Sequence, residues 1–468
     1  MSSKDTQRKQ KTSKEDCLLT KAVNTPGPAK AHSVKTALND IDIFQGYSDH
    51  LMEKVVEKAN MKKALRRVEL NKGAPGVDGM RVEELRGYLK KNWECTRGQL
   101  LSGAYQPVPV RRVEIPKRSG GVRMLGIPSV LDRLIQQAIL QVLNKSYDLT
   151  FSEHSFGFRP KRSAKQAVKL AQRCIREGYD TVVDMDLEKF FDKVNHDKLM
   201  GKLAKNIKDK RLLLLIRRYL NAGAMLNGCR VRTEEGTPQG GPLSPLLSNI
   251  VLHDLDVELE RRGHKFVRYA DDCNIYVKSK RAGERVMNSI RKFVESKLKL
   301  KVNMSKSAVD RPWNRTFLGI SFLCDKSKRI RLPKTSLNRF KMMVRWLTKR
   351  SQSISMEERI KKLRAYLIGW INYFRMIQTP SVLEALDGWV RRRLRACLLK
   401  QWKNPRTIKR NLIKLGLSKD PAARIAYSRK GIWRLACTRQ IHFVLGCNFW
   451  RELGLISLKE RRCESVKV

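Results

Sequence analysis

Phe266-Val267-Arg268-Tyr269-Ala270-Asp271-Asp272-Cys273-Asn274-Ile275-Tyr276-Val277 is the stretch that decides how the chain is read. Two runs rich in β-branched and aromatic residues meet at adjacent aspartates, the pattern of two strands joined by a tight hairpin turn. Asp is common in turns because its side chain bonds nearby backbone amides, and on that account alone the pair is ordinary. Two adjacent carboxylates nevertheless repel, by about 1 kcal/mol at 4 Å in bulk water and several times that near a protein surface. A bound divalent cation removes that cost.

Upstream, Thr181-Val182-Val183-Asp184-Met185-Asp186-Leu187-Glu188-Lys189-Phe190-Phe191-Asp192 places further carboxylates at the end of a β-branched run, where a strand should give way to a helix. Period-two alternation puts Asp184 and Asp186 on one face, so periodicity does not say which of them meets a metal. An acidic helix start complementing the helix dipole is the competing account. Phosphoryl transfer to a 3′-hydroxyl needs two magnesium ions roughly 3.5–4 Å apart, bridged by hard oxygen ligands from separate strands. A strand-end Asp186 and a hairpin Asp271, brought into one sheet, would supply them.

Between these carboxylates lies Gly236-Thr237-Pro238-Gln239-Gly240-Gly241-Pro242-Leu243-Ser244-Pro245, ahead of a helix through Leu246, Ile250 and Leu252. Its glycines permit close backbone approach, and an amide side chain there could sense a base pair; a plain loop before a helix is the alternative. Residues 111–127 read as a hairpin in which Val113 and Ile115 alternate with polar residues, Ser119-Gly120-Gly121 turns, and Val122, Met124 and Gly126 return. Lys117 and Arg123 flank its tip, where two cations could grip a triphosphate or serve as generic charges of a basic chain. Ser129 is a plausible N-cap for the next helix, with Asp132 in its first turn and Leu131, Leu134, Ile135, Ala138 and Val142 as its buried stripe. A helical spacing over 51–70 precedes the loop Gly73-Ala74-Pro75-Gly76-Val77-Asp78-Gly79.

The 468 residues exceed what one hydrophobic core usually serves and suggest two or three packed units with tails. A hydrophobic fraction of 41% can fill those cores, while 98 Lys plus Arg against 45 Asp plus Glu leave a formal charge of +53. Nucleic acid is the partner this implies. No run of about 18 apolar residues or apolar signal region points to a membrane. None of the ten cysteines stands at Cys-x-x-Cys spacing, which reads as reduced thiols of a cytosolic protein. A chromatin-like packaging protein would account for the charge and leave the carboxylates unexplained.

The ordered series of blocks resembles the reverse transcriptases encoded within bacterial group II introns, the maturases, from about residue 41 to the end. The blocks are Lys72 to Gly79, Ile115-Pro116-Lys117 with Arg123, Ser155-Phe156-Gly157-Phe158-Arg159-Pro160, Asp186 to Asp192, Pro238-Gln239-Gly240, Tyr269 to Asp272, Leu300 to Lys306, and Phe317-Leu318-Gly319-Ile320. The resemblance implies an α+β right-hand polymerase with fingers, an antiparallel-sheet palm, a helical thumb and a basic C-terminal extension. It implies Asp186, Asp271 and Asp272 as the catalytic triad, binding two Mg2+ ions, with Asp186 and Asp271 the principal ligands. Lys117 and Arg123 would hold the incoming triphosphate, with Lys306 near the nucleotide phosphates. Gln239 and Gly240 would line the nascent base pair, and Phe191 would be the aromatic gate set against a ribose 2′-hydroxyl. Arg159 falls in a segment similar to the template-contacting fingers.

From 331 to 468 there are 33 Lys and Arg against 8 Asp and Glu, a formal +25 that should lie on RNA. Leu363, Leu367, Trp370 and Phe374 form one helical stripe, and Thr379-Pro380 restarts a helix with Leu383, Leu386, Trp389 and Val390 facing inward. Arg391, Arg392, Arg393 and Arg395 cluster just beyond and are candidates for phosphate contact. This region resembles the family's thumb, or X domain. Since His442 is the last histidine, no His- and Cys-rich nuclease module is expected near the C-terminus.

The expected organisation is a basic disordered tail over 1–40, an N-terminal extension over 41–110, fingers and palm over 111–325, thumb over 326–420, and a basic nucleic-acid-binding segment over 421–468. The implied partners are group II intron RNA, a DNA target and primer, and deoxynucleotides, in the bacterial cytoplasm and at the nucleoid, with room for a homodimer. Nearest among other accounts are a retron-like or defence-associated reverse transcriptase and a splicing factor whose polymerase site has decayed.

Overall fold

The computed structural model describes residues 50–463, apart from 117–120, 227–228, 232–234 and 238–239. The expected tail over 1–40, Lys117 and Gln239 therefore lie outside the described residues, as does the side chain of Arg123. The fold is a mixed α+β one. Its strands are β1 (Val110–Pro116), β2 (Val122–Ile127), β3 (Thr181–Met185), β4 (Ala224–Leu226), β5 (Cys229–Val231), β6 (Lys265–Tyr269), β7 (Asp272–Val277), β8 (Ala308–Asp310), β9 (Ser321–Phe322) and β10 (Ile330–Arg331).

The anticipated hairpin is the antiparallel pair β1 and β2, with Ile115 opposite Arg123, extended by β4 in parallel with β1 and by β5. The helical spacing over 51–70 becomes two helices, Leu51–Val56 and Lys58–Asn71, broken at Glu57. Ser129 caps helix Val130–Thr150 by accepting from the Asp132 amide at 3.0 Å. All five residues of its anticipated stripe are buried. Asp132 is itself buried, accepting from the hydroxyls of Tyr105 and Ser129 at 2.9 Å and of Tyr219 at 3.2 Å.

The second sheet runs β6-β7-β3-β8, antiparallel throughout. Because side chains alternate across a strand, it feeds two cores. Val183, Met185, Phe266, Cys273, Ile275 and Val277 enter the core shared with helices Val130–Thr150, Ser244–Arg261 and Lys280–Phe293. Val182, Val267 and Tyr276 face the other way, into a second core that includes helix Ala164–Arg176 and continues into the helices that follow residue 334.

Those later helices include Lys334–Leu347, Met356–Phe374, Pro380–Gln401 and Pro405–Lys414. Leu363, Leu367, Trp370 and Phe374 are all buried, and the Trp370 ring lies 4.6 Å from Phe340 and 4.8 Å from Phe374. Trp389 departs from the inward-facing set: it is half-buried, its ring 5.8 Å from the Arg345 guanidinium and 5.9 Å from that of Arg393. These helices are tied to the loop at Leu318 and Gly319, where the Tyr373 hydroxyl donates to the Leu318 carbonyl at 2.9 Å and the Ser336 hydroxyl to the Gly319 carbonyl at 2.7 Å.

Residues after 420 form short helices that join the second core through Leu435, Ile441, Leu445, Trp450 and Leu458. Asp387 accepts from the amides of Leu458 and Lys459 and the Ser457 hydroxyl, at 2.8 to 3.1 Å. The boundary expected at 420 is thus not a core boundary. Trp450 is 1% exposed and donates its indole N–H to the Leu445 carbonyl at 3.0 Å. Trp450→Ala should cost about 3–5 kcal/mol, read as a lowered denaturant midpoint; a change below about 1 kcal/mol would show that the C-terminal segment is not part of the core.

Candidate active site

Pairing of β6 with β7 ends at Tyr269 opposite Asp272, leaving Ala270 and Asp271 as a two-residue loop. Ala270 has φ of +58°, a region that costs a non-glycine residue roughly 1–2 kcal/mol. Pairing of β7 with β3 sets Asn274 opposite Asp184 and Cys273 opposite Met185, so one further step brings Asp186 opposite Asp272. Both carboxylates stand on the sheet face of Val182 and Tyr276, at the strand ends, with Asp271 on the adjoining loop.

Asp184 and Asp186, which alternation could not separate, have different partners. Asp184 Oδ2 accepts from Arg315 Nε at 2.9 Å and Nη2 at 2.6 Å. Asp186 has Lys306 Nζ 3.2 Å from Oδ2, and its amide donates to Ser307 Oγ at 3.0 Å. Asp272, although exposed on one side, has a carboxyl pushed up to about 7, first by loss of hydration and then by the carboxylates of Asp271, Asp184 and Asp186, with Lys306 opposing. The structure thus gathers the three predicted aspartates and Lys306 into one electrostatic unit.

Among the described residues, no three His, Cys, Asp or Glu side chains already form a metal-holding set. The donors nonetheless fit a hard cation: they are all carboxylate oxygens, and the loss of hydration and the neighbouring negative charges that together lift Asp272 are what a divalent ion would offset. Lys306 provides the positive charge beside Asp186 in the described arrangement.

The chain after Asp186 does not enter a helix as anticipated. Its backbone pairs instead with the loop beyond residue 300, through Leu187 and Val302 and through the Glu188 amide to the Lys301 carbonyl at 2.8 Å. With Lys189 at φ +46°, residues Phe190–Asp192 make a single tight turn, and the helix waits until His196, capped by Asn195. Phe190 is buried and Phe191 half-buried, their rings edge-on at 5.2 Å. The Phe191 carbonyl accepts from the Thr237 amide at 2.6 Å. A Cβ on Gly236 would come within 2.8 Å of that same oxygen, and one on Gly240 within 2.5 Å of the Gly126 carbonyl in β2. The glycine loop is therefore seated between the Phe191 turn and the hairpin bearing Arg123.

The predicted RNA-contacting arginines fare differently. Arg159 is buried, with Nε on Asp148 Oδ1 at 2.7 Å, Nη1 on the Ser152 and Ser155 carbonyls and Nη2 on that of Asp148, so it braces the fold and does not reach a template. Arg395 is likewise buried, donating to the Leu445 and Ala436 carbonyls. Arg393 bonds Thr348 and the Arg345 carbonyl, and Arg392 stacks 4.0 Å over the Trp433 ring. Arg391 instead lines a concavity with Arg364, Arg451 and Arg461. Three positions were missed: Arg315, Arg268 and Asp256. Arg268 carried a signal, a cation inside an otherwise strand-like apolar run.

Residues 115–322 match the family described as Reverse transcriptase (RNA-dependent DNA polymerase), and residues 337–416 the one described as Group II intron, maturase-specific domain. Protein YkfC of Escherichia coli is 33% identical over 299 residues, which cover 55% of this chain and 78% of YkfC. Group II intron-encoded protein LtrA of Lactococcus lactis is 39% identical over 199 residues, 42% of this chain but only 33% of LtrA.

The raised Asp272 gives a pH-dependent expectation. Its folded carboxyl titrates near 7 against an ordinary value of 3.8, so the folded chain holds the proton more tightly and stability from this group falls as pH rises from about 4 to 7. Mg2+ should offset the loss, raising the melting temperature more at pH 8 than at pH 5.5; at 100-fold excess over its Kd the gain is about 2.7 kcal/mol. Equal shifts at both pH values would refute the coupling.

Proposed function

The chain belongs to the group II intron reverse transcriptase and maturase family, and from that premise we propose that it copies RNA into DNA and binds its own intron RNA to assist splicing. The observation that carries this proposal is the joining, in one chain, of a sheet that sets Asp186 and Asp272 at neighbouring strand ends, with Asp271 on the adjoining loop, to a maturase-specific segment. That segment favours it over a retron-like enzyme.

Asp186 and Asp271 are the proposed principal ligands for two Mg2+ ions, with Asp272 secondary. Bound there, Mg2+ supplies activation of the primer 3′-hydroxyl and neutralises triphosphate oxygens. Lys306, already beside Asp186, serves the incoming nucleotide's phosphates together with Lys117 and Arg123. Gln239 and Gly240 line the nascent base pair, and the Phe191 ring stands against the sugar. Template RNA, a DNA primer and deoxynucleotides are the substrates, and the excised intron is copied after insertion into a DNA target. Arg391, with its neighbouring arginines, takes the RNA-contact role that Arg159 and Arg395 cannot. No helix among the described residues is long and apolar enough to cross a membrane.

Asp271→Ala should lower DNA synthesis on an RNA template by roughly 10³-fold or more, several kcal/mol of transition-state stabilisation, while intron RNA affinity stays within about twofold. Undiminished synthesis would remove the site assignment. Phe191→Ala should raise ribonucleotide incorporation by roughly 10-fold. Unchanged sugar discrimination in a primer-extension assay would rule out the gate.

A further inference from the structure

Arg268 sits in β6 two residues before the Ala270-Asp271 loop and is fully buried. Its Nε donates to Asp256 Oδ1 at 2.6 Å and its Nη2 to Oδ2 at 2.5 Å, while Nη1 donates both to Asn249 Oδ1 at 3.1 Å and to the Ala270 carbonyl at 2.9 Å. Asp256 is 0% and Asn249 1% exposed. Buried ion pairs of this kind are poor devices for stability, since well-packed apolar replacements are often neutral or stabilising. What the guanidinium offers is a rigid planar fork that can hold a carboxylate on one edge and carbonyl oxygens on the other; an ammonium group has no such fixed geometry.

The same cluster grips the turn from other directions. Asn249 Nδ2 donates to the Gly157 carbonyl at 2.9 Å, and Gly157 lies so close to the turn that a Cβ there would fall 2.3 Å from the Ala270 nitrogen. The Arg268 backbone is bonded on both sides to this segment, its amide to the His154 carbonyl and its carbonyl to the Phe156 amide, each at 2.9 Å. Asn249 and Asp256 stand seven residues apart, two turns along one face of helix Ser244–Arg261, which begins where the glycine loop ends. The left-handed Ala270 needs such surroundings to persist.

We infer that Arg268 is a positioning residue for nucleotide transfer: locked by Asp256 and Asn249, it holds the Ala270 carbonyl and so fixes the direction of Asp271 and Asp272. This inference rests on the polymerase reading above. Losing the contact moves the carboxylates without removing them, and misplacement of about 1 Å costs roughly 10²-fold in rate.

Two variants test it: Arg268→Lys, which keeps a positive charge opposite Asp256, and the apolar pair Arg268→Met with Asp256→Leu, which removes charge and fork together. Each is examined in the full chain for melting temperature, intron RNA affinity, kcat and KM for deoxynucleotide, and Mg2+ affinity read by thermal shift without substrate. The expected result is a folded double variant with RNA affinity within about twofold of wild type, deoxynucleotide KM little changed, kcat down roughly 10²-fold and weaker Mg2+ binding. Wild-type kcat and Mg2+ binding in the folded double variant would overturn the inference. So would failure of the double variant to fold, since the pair would then hold the core and not the turn. If the wild type makes no DNA, the polymerase reading fails on its own, while weakened Mg2+ binding in the variants still supports the positioning role.

Discussion

Asp186 and Asp271 stand near enough to Asp272 for their charges to act on its carboxyl, and much of the surrounding fold can be understood as the means of placing the three together. Antiparallel pairing of β3 with β7 fixes two of them across from each other, and a two-residue loop fixes the third. Loss of hydration first, and then the neighbouring carboxylates, raise the carboxyl of Asp272, while Lys306 stands at Asp186 and Arg315 at Asp184. A sheet buried on both faces can sustain such an arrangement because its register cannot slip without exposing an apolar face.

Much of this was legible in the sequence. Strand alternation located β3, β6 and β7, the Ser129 cap located helix Val130–Thr150, and the stripe through Leu363 and Phe374 located the buried face of helix Met356–Phe374. The helix anticipated directly after Asp186 was missed because residues 187–188 pair with a loop more than a hundred positions later, a tertiary bond that outweighs local propensity. Alternation also could not separate Asp184 from Asp186, since both lie on one face; the difference is made by Arg315, 131 residues away from Asp184 in sequence.

The arginines carry a related lesson. Net charge is a property of the whole chain and points correctly to polyanions, but it does not tell which cation meets them. Arg159, Arg268 and Arg395 are drawn inside to satisfy backbone carbonyls or a buried aspartate, where the many donors of a guanidinium are useful for reasons unrelated to RNA. Runs of basic residues therefore mix internal braces with outward contacts, and only burial separates the two.

The sharing of one sheet between two cores has a consequence for how the chain can be divided. A fragment ending near residue 325 would keep helix Ala164–Arg176 over Val182, Val267 and Tyr276 but would lose the rest of that core, including Phe340, Val344, Leu363 and Leu367, and leave apolar surface in water that is prone to self-association. A fragment beginning there would lose the surface its own helices pack on. The carboxylate-bearing sheet and the basic helical region are thus joined through one core. A change of side-chain volume on either side of that shared core is felt by the other.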